Sequence, residues 1–247
     1  MKPEPEFQKL QEIIVNCRRC PRLVRWREQV AREKVRRFRD QEYWGRPVPA
    51  FGGPDARLVI VGLAPAAHGG NRTGRIFTGD RSGDWLYEAL FQFGFASQPI
   101  SVSIDDGLRL TGCLVTAALR CAPPENKPLL QEMNNCRGYL REELRLTRSK
   151  RVVVALGQVA FRSFLKAWQE NGEPVSGVKP QFRHGGEWTL PGGLILISSF
   201  HPSQQNTQTG KLTRPMFHAI FRRAREILDQ QPPATMNHEL QERRRRP

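Results

Sequence analysis

Residues 58–62 read LVIVG, a short apolar and largely β-branched run that stops at a glycine. A run of this length and composition is typical of a strand that is buried on both faces. Two further runs have the same character, at residues 152–156 (VVVAL) and 194–197 (LILI), and residues 114–119 form a weaker one. The pattern therefore predicts a sheet whose central strands are covered on both sides.

Helical periodicity fills most of the chain between these runs. The predicted helices cover residues 6–15, 22–39, 84–93, 129–146, 158–168 and 214–229. Strands that alternate with helices form right-handed crossovers in a parallel sheet with helices on both faces, so we expect an α/β fold. We expect one domain over residues 1–230, including an N-terminal helical segment, and a disordered basic tail over residues 231–247.

The charge of the chain points to a polyanionic partner. Lys and Arg number 39 against 24 Asp and Glu, which gives a net charge of +15. Most of these cations are Arg, which can bind phosphate with two parallel hydrogen bonds. Nucleic acid is therefore the favoured partner, and a solvated basic surface without a dedicated partner is the alternative.

The sequence gives no sign of a membrane segment. No apolar run approaches the roughly 20 residues that span a bilayer, and the first residues lack the apolar core of a secretory signal. We expect a cytoplasmic protein with access to the nucleoid. We also expect a monomer without an obligate protein partner.

Four of the five cysteines fall into two pairs. Cys17 and Cys20 have two residues between them, a spacing that lets both thiolates bind one metal centre, and Cys121 and Cys136 have 14 residues between them. Four thiolates fit a zinc ion or a [4Fe–4S] cluster, and the wide second spacing modestly favours the cluster. Buried thiols without a metal are the alternative. Cys113 lies in a strand candidate, where we expect it to pack.

A glycine-rich loop, residues 62–83, follows the first strand. Its six glycines allow the backbone to approach a ligand closely, but the loop matches neither a P-loop nor a dinucleotide fingerprint. Arg72, Arg75 and Arg81 are candidate phosphate ligands. Phe77 offers a flat surface on which a base could stack.

Two side chains in strand-end segments are candidates for catalysis. Asp80 is the one carboxylate of the glycine-rich loop, and it could either orient a water or cap the helix that follows; the residues alone favour capping. His201 opens an HPS segment directly after the third buried run. Because ligands of parallel sheets bind at the carboxyl ends of the strands, residues 62–83 and 201–210 are expected to face one site.

Four motifs in order resemble the uracil-DNA glycosylases, specifically the family 5 (UdgB-type) enzymes of prokaryotes. They are GLAPA at residues 62–66, GRIFTGDRSG at 74–83, RCAPPENKP at 120–128 and HPS at 201–203. The resemblance spans roughly residues 17–223. It implies a three-layer α/β/α sandwich around a short, mostly parallel sheet.

The resemblance also implies a [4Fe–4S] cluster with a structural role. Its ligands here would be Cys17, Cys20, Cys121 and Cys136, and Cys113 matches none of them. One departure is informative: most members of the superfamily place Asp, Glu or Asn in the first motif to position water, and family 4 typically has Glu. GLAPA has none of these residues, which favours family 5 and transfers the task of holding the water to Asp80.

By this resemblance, Asp80 would hold the attacking water and His201 would hydrogen-bond the oxyanion that develops on the leaving base. The backbone N–H groups of Gly62 and Leu63 would assist His201. Phe77 would stack on the base, and Asn126 would recognise or orient it. The segment at 201–211 would supply a wedge that helps to extrude the nucleotide.

These features predict a DNA glycosylase that removes uracil and initiates base excision repair. Because the first motif lacks a polar side chain, the pocket is expected to accept other deaminated or adducted bases such as hypoxanthine, xanthine and ethenocytosine. One alternative is a noncatalytic DNA-binding module with an iron–sulfur cluster or zinc. The other is a family-4-like glycosylase restricted to uracil.

Overall fold

A computed structural model describes residues 5–173 and 179–230 of the chain. Its strands are β1 (Phe51–Gly52), β2 (Leu58–Gly62), β3 (Cys113–Ala117), β4 (Val152–Leu156), β5 (Gly186–Thr189) and β6 (Ile195–Ser199). They form one sheet in the order β1-β3-β2-β4-β6-β5. The four central strands are parallel, and β1 and β5 pair antiparallel at the two edges.

Helices cover both faces of this sheet. They are α1 (Pro5–Val15), α2 (Pro21–Glu33), α3 (Gly70–Thr73), α4 (Arg81–Gln92), α5 (Leu130–Leu146), α6 (Gln158–Glu170), α7 (Gln204–Gln208) and α8 (Arg214–Gln230). Leu58 and Ile60 of β2 pack in a core with α4 and α8, whereas the alternate residues Val59 and Val61 pack in a second core with α1, α5 and α6. Successive strand side chains point to opposite faces, so the predicted three-layer α/β/α sandwich is confirmed.

None of the helices in the described part of the chain has both the length and the apolar character that a membrane crossing requires. The basic tail predicted for residues 231–247 lies outside the described residues.

The four predicted strands are confirmed, whereas the two edge strands are not predicted by the sequence pattern. β1 has only two residues, and β5 (GEWT) mixes buried and exposed positions. An edge strand lacks a second neighbour and is partly solvated, so it does not need the continuous apolar run that marks a central strand.

The second helix is shorter than predicted. α2 ends at Glu33, and Lys34 takes a left-handed conformation with φ of +53° before a single 3₁₀ turn at 36–38. The run from Arg32 to Arg39 places like charges at helical spacing, which disfavours further helix. Because the chain leaves the helix here, the Phe38 ring lies beneath the guanidinium of Arg72. The distance from Arg72 Cζ to the ring centroid is 3.9 Å.

A buried polar network joins three elements on the face that carries the paired cysteines. Glu143 of α5 has no exposed surface. It accepts hydrogen bonds from Gln11 of α1 (3.1 Å) and Thr116 of β3 (2.6 Å), and it forms an ion pair with the buried Arg120. Because Arg120 precedes Cys121 and Glu143 shares α5 with Cys136, the network fixes the two halves of the second cysteine pair relative to each other.

Replacing Glu143 by Gln should therefore destabilise the protein by about 3–5 kcal/mol, since it leaves the Arg120 charge buried without a counter-ion. The matched control is Glu142→Gln, which removes an ion pair with Arg145 in which both side chains are well exposed. That change should cost less than about 1 kcal/mol. Denaturant unfolding monitored by circular dichroism measures both values, and equal costs would contradict this role of the network.

Candidate active site and cysteine-lined pocket

Phe77 and His201 form a stacked pair at the carboxyl edge of the sheet. Their ring centroids are 5.8 Å apart and their planes are inclined by 29°. Phe77 is buried and has a φ of +55°, and a Cβ added to Gly62 would lie 2.6 Å from its ring. A glycine at the end of β2 is thus required for the ring to lie across the strand end.

Asp80 caps α4 and also faces the glycine-rich loop. Its Oδ1 accepts a hydrogen bond from the backbone N–H of Gly83 at 3.0 Å. Its Oδ2 is directed at the backbone of Gly69, where an added Cβ would lie 2.4 Å from the oxygen. Burial raises the pKa of Asp80 above its ordinary value, and the N–H groups of Gly83 and Ser82 oppose this rise. The capping role that the residues alone favour is therefore confirmed. The cap uses Oδ1, and the second carboxylate oxygen, Oδ2, does not accept the hydrogen bond from Gly83.

The segment that carries His201 is tied to the helix that Asp80 caps. The Ser82 hydroxyl donates to the carbonyl oxygen of Pro202 at 3.0 Å, and Asn206 Nδ2 donates to the carbonyl oxygen of His201 at 2.8 Å. Burial lowers the pKa of His201 to about 4, so its imidazole is neutral near pH 7. Asp80, Phe77 and His201 are therefore brought to one place by contacts between two strand-end segments.

Of the other predicted binding residues, Gly62 and Leu63 lie at this edge, whereas Asn126 lies on the segment that follows β3. The carbonyl oxygens of Gly62 and Leu63 accept hydrogen bonds from the N–H groups of Ala118 and Leu119. Asn126 is exposed in a left-handed conformation with φ of +58°. Among the described residues, its side chain has no hydrogen bond to the Phe77–His201 pair.

Two of the three arginines expected to bind phosphate are occupied inside the protein, so this expectation is wrong for Arg72 and Arg75. Arg72 donates to the carbonyl oxygens of His68 and Gly79 and to Gln41. Both guanidinium groups are buried, which withdraws them from a phosphate of the substrate. They shape the glycine-rich loop, and Arg81 is the exposed member of the three.

Arg75 makes the more extensive set of internal contacts. It pairs with Asp106 at 2.7 Å and donates to Ser101 Oγ at 3.0 Å and to the carbonyl oxygen of Ile104 at 2.6 Å. Sequence reasoning missed these partners because nothing in the segment that contains them marks it as a neighbour of the loop. A motif arginine looks the same in sequence whether its partner is a phosphate or a buried carboxylate.

The four paired cysteines line one pocket. α1 and α2 are joined by the turn that carries Cys17 and Cys20, while Cys121 follows β3 and Cys136 lies on α5. Cys113 is buried within β3 and does not line this pocket. The structure therefore agrees with the grouping expected from the sequence, in which four cysteines share one site and Cys113 is separate from them.

Cationic and amide groups surround the thiols. The buried Arg27 donates to Cys121 Sγ at 2.9 Å and to the carbonyl oxygen of Cys17, and its Nε has no hydrogen-bond partner among the described residues. Asn135 lies 3.5 Å from Cys20 Sγ. Sequence reasoning missed Arg27, one of several arginines on α2. A buried cation beside four thiols suits a site whose occupant carries negative charge.

The four thiols share a pocket without forming a metal-binding group. In residues 5–173 and 179–230, no group of three or more His, Cys, Asp or Glu side chains is placed to hold a metal ion. Zinc would require its thiolates at about 2.3 Å from the ion.

Comparison with known proteins agrees with the resemblance in the motifs. Residues 49–225 match the model of the uracil DNA glycosylase superfamily. A type-5 uracil-DNA glycosylase from Mycobacterium tuberculosis is 50% identical over 219 residues, which cover 88% of this chain and 80% of the relative. One from Thermus thermophilus is 49% identical over 218 residues, covering 87% and 95%.

A type-4 enzyme is more distant. The type-4 uracil-DNA glycosylase of Pyrobaculum aerophilum is 27% identical over 200 residues, covering 80% of this chain and 83% of the relative. This order of similarity agrees with the absence of a glutamate from the first motif. The chain belongs to the type-5 uracil-DNA glycosylases of the uracil-DNA glycosylase superfamily.

Proposed function

We propose that this protein hydrolyses the N-glycosidic bond of uracil in DNA and so initiates base excision repair. The observation that carries the proposal is the stacked Phe77–His201 pair beside Asp80 at the carboxyl edge of the sheet. An aromatic face next to a neutral imidazole suits a planar base that needs both stacking and a hydrogen-bond donor. Relatives about half identical in sequence are named uracil-DNA glycosylases.

The reaction requires a nucleotide that has left the base stack, since the sugar carbon is shielded within a duplex. A water oxygen then bonds to C1′ while the bond from C1′ to the base nitrogen breaks. The bonding electrons leave with the base, and the water proton passes to a carboxylate. We assign the water and its proton to Asp80, whose raised pKa makes it a better proton acceptor at neutral pH.

We assign His201 to the leaving base. Negative charge develops on a carbonyl oxygen of the base as the bond breaks, and a donor placed there stabilises the transition state more than the substrate. A neutral imidazole can donate from one nitrogen without the cost of burying a cation. We infer that the N–H groups of Gly62 and Leu63 add to this effect and that Asn126 contacts the base once DNA is bound.

We further propose that Cys17, Cys20, Cys121 and Cys136 bind a [4Fe–4S] cluster. In such a cluster each thiolate binds its own iron, so the four sulfurs surround a volume rather than a point. The pocket they line and the buried Arg27 cation fit this group. Its role is structural, because it joins the turn after α1 to the segment between β3 and α5.

The substrate range is proposed to extend beyond uracil. Residues 62–66 contribute no carboxylate or amide side chain, so nothing in this motif restricts the base by a specific hydrogen bond. Hypoxanthine, xanthine and ethenocytosine are the expected additional bases. Restriction to uracil, as in a family-4-like enzyme, is the alternative within the same reaction.

Incubation with oligonucleotides that carry one modified base, followed by heating in alkali, tests the activity because an abasic product breaks at that position. We expect cleavage at uracil and, more slowly, at the three other bases. Cleavage at uracil alone would refute the broad range. Binding without cleavage at any base would indicate the noncatalytic DNA-binding module.

Asp80→Asn should lower the single-turnover rate of uracil release by about a hundredfold or more, since it removes the proton acceptor. Asn caps helices as well as Asp does, so the melting temperature should not change. The control is Asp84→Asn, an exposed acid in the first turn of the same helix, which should retain activity. If Asp80→Asn releases uracil at the normal rate, the water belongs to another group.

His201→Ala should lower the single-turnover rate at least tenfold, or about 1.4 kcal/mol. Because burial lowers the pKa of His201 to about 4, its protonation should begin only well below pH 6. The pH profile of kcat/KM should therefore have no step near 6.5, where a free histidine titrates. A step near 6.5 that disappears in His201→Ala, or a loss below tenfold, would contradict this assignment.

Replacing Cys136 by Ser should remove the brown colour and the iron of the purified protein, whereas Cys113→Ala should retain both. Both thiols are buried, but of the two only Cys136 lines the pocket. Iron and sulfide analysis with absorption spectroscopy measures the difference. A colourless wild-type protein with one zinc per chain would contradict the cluster.

A further inference from the structure

The connection from α4 to β3 takes a detour to the active-site edge. α4 runs back from the carboxyl edge of the sheet to the amino edge, where β3 begins, so a short turn would join them. The chain instead pairs Ala96 with Leu110 and extends a loop between them. The tip of this loop reaches the glycine-rich loop, where Gly79 N–H donates to the carbonyl oxygen of Ser101 at 3.3 Å.

At the tip, a polar side chain is buried and apolar side chains are exposed, which is the reverse of an ordinary surface loop. Ser101 is 2% exposed, and its hydroxyl lies 2.6 Å from that of Thr78. Its apolar neighbours are exposed instead: Ile100 by 57%, Val102 by 56% and Ile104 by 45%. Adjacent exposed apolar side chains are unfavourable in water and indicate a contact surface.

The loop is also held in one shape. Asp106 accepts hydrogen bonds from the N–H groups of Val102, Ser103 and Leu108 and pairs with the buried Arg75. A buried ion pair is not needed to stabilise a surface loop, but it fixes a single geometry. The exposed apolar side chains are thus held in a defined position. Ile100 and Val102 flank Ser101, whose carbonyl oxygen accepts the hydrogen bond from Gly79, the residue before Asp80.

We propose that the apolar tip, defined as Ile100, Val102 and Ile104, is a wedge that contacts the DNA bases next to the extruded nucleotide. The inference rests on the proposed function. Proteins that distort DNA insert apolar side chains between base steps and so offset the cost of unstacking. The wedge fills the space that the base leaves and favours the extruded state of a duplex substrate.

The segment that the sequence suggested for this role offers no apolar side chain. In residues 201–211 the exposed side chains are polar, and the neighbouring Leu212 is fully buried. This segment therefore lacks the apolar group that a wedge needs. The tip is the apolar surface tied by hydrogen bonds to the glycine-rich loop.

The charges around the tip favour DNA over a protein partner. Arg72 donates to the carbonyl oxygen of Gly79 and stacks on Phe38, which places the segment at 32–39 against the same loop. Arg36, Arg37 and Arg39 are exposed there. Phosphates bound by this segment would bring the adjoining bases to the glycine-rich loop and the tip.

The double variant Ile100→Ser/Val102→Ser tests the wedge. The control is Ile13→Ser/Phe91→Ser, which replaces two residues of similar exposure, 48% each, on α1 and at the end of α4. Uracil release is measured on a duplex with a G·U pair and on the single strand. 2-Aminopurine placed beside a non-hydrolysable uracil analogue reports base extrusion by its fluorescence.

The tip variant should lose about tenfold or more of kcat/KM on the duplex, together with the 2-aminopurine signal, because the cost of unstacking is then no longer offset. It should retain the wild-type rate on the single strand, where little unstacking is needed. The control variant should match the wild type on both substrates, and all variants should keep the same melting temperature.

Equal loss on both substrates would overturn the wedge, because it would place the tip in general binding or folding. Unchanged activity on both would also overturn it and would leave a protein partner as the occupant of the tip. Absence of uracil release by the wild-type protein on either substrate would instead refute the proposed function itself.

Discussion

The structure depends on the convergence of parallel strands at one edge of the sheet. β2, β3, β4 and β6 all end there, so segments far apart in sequence emerge side by side. The contact that uses this convergence most directly is the Phe77–His201 stack, which joins the loop after β2 to the segment after β6. It exists because Gly62 has no side chain to occupy the strand end.

A second constraint links this edge to the cysteine-lined pocket. The segment that leaves β3 contains Arg120, which pairs with Glu143 in the core, and then Cys121, whose sulfur contacts Arg27. Both Cys136 and Glu143 lie on α5, the helix that follows this segment. A cluster bound at the four thiols would therefore hold the loop that carries Asn126 from two sides. In the proposed function, this is how a cluster without a chemical step of its own would order a loop that contacts the base.

The central fold could be predicted from sequence because buried parallel strands leave continuous apolar runs such as residues 152–156. The edge strands could not, because half-solvated strands carry no such run. In the site, glycine spacing and the positions of Asp80 and His201 after strands were informative. The roles of Arg72 and Arg75 were not, since their partners Gly79 and Asp106 become neighbours only through the fold. The apolar tip was missed because exposure cannot be read from residue type alone.

In the proposed reaction, an extruded base lies against the Phe77–His201 pair with its sugar facing Asp80. This arrangement can be observed in a crystal structure with DNA that contains 2′-fluoro-2′-deoxyuridine, whose glycosidic bond resists hydrolysis. It should place the uracil ring on Phe77, a uracil oxygen within hydrogen-bond distance of His201, and C1′ toward the Asp80 carboxylate. A base that remains stacked in the duplex, or that binds away from this edge, would contradict this arrangement.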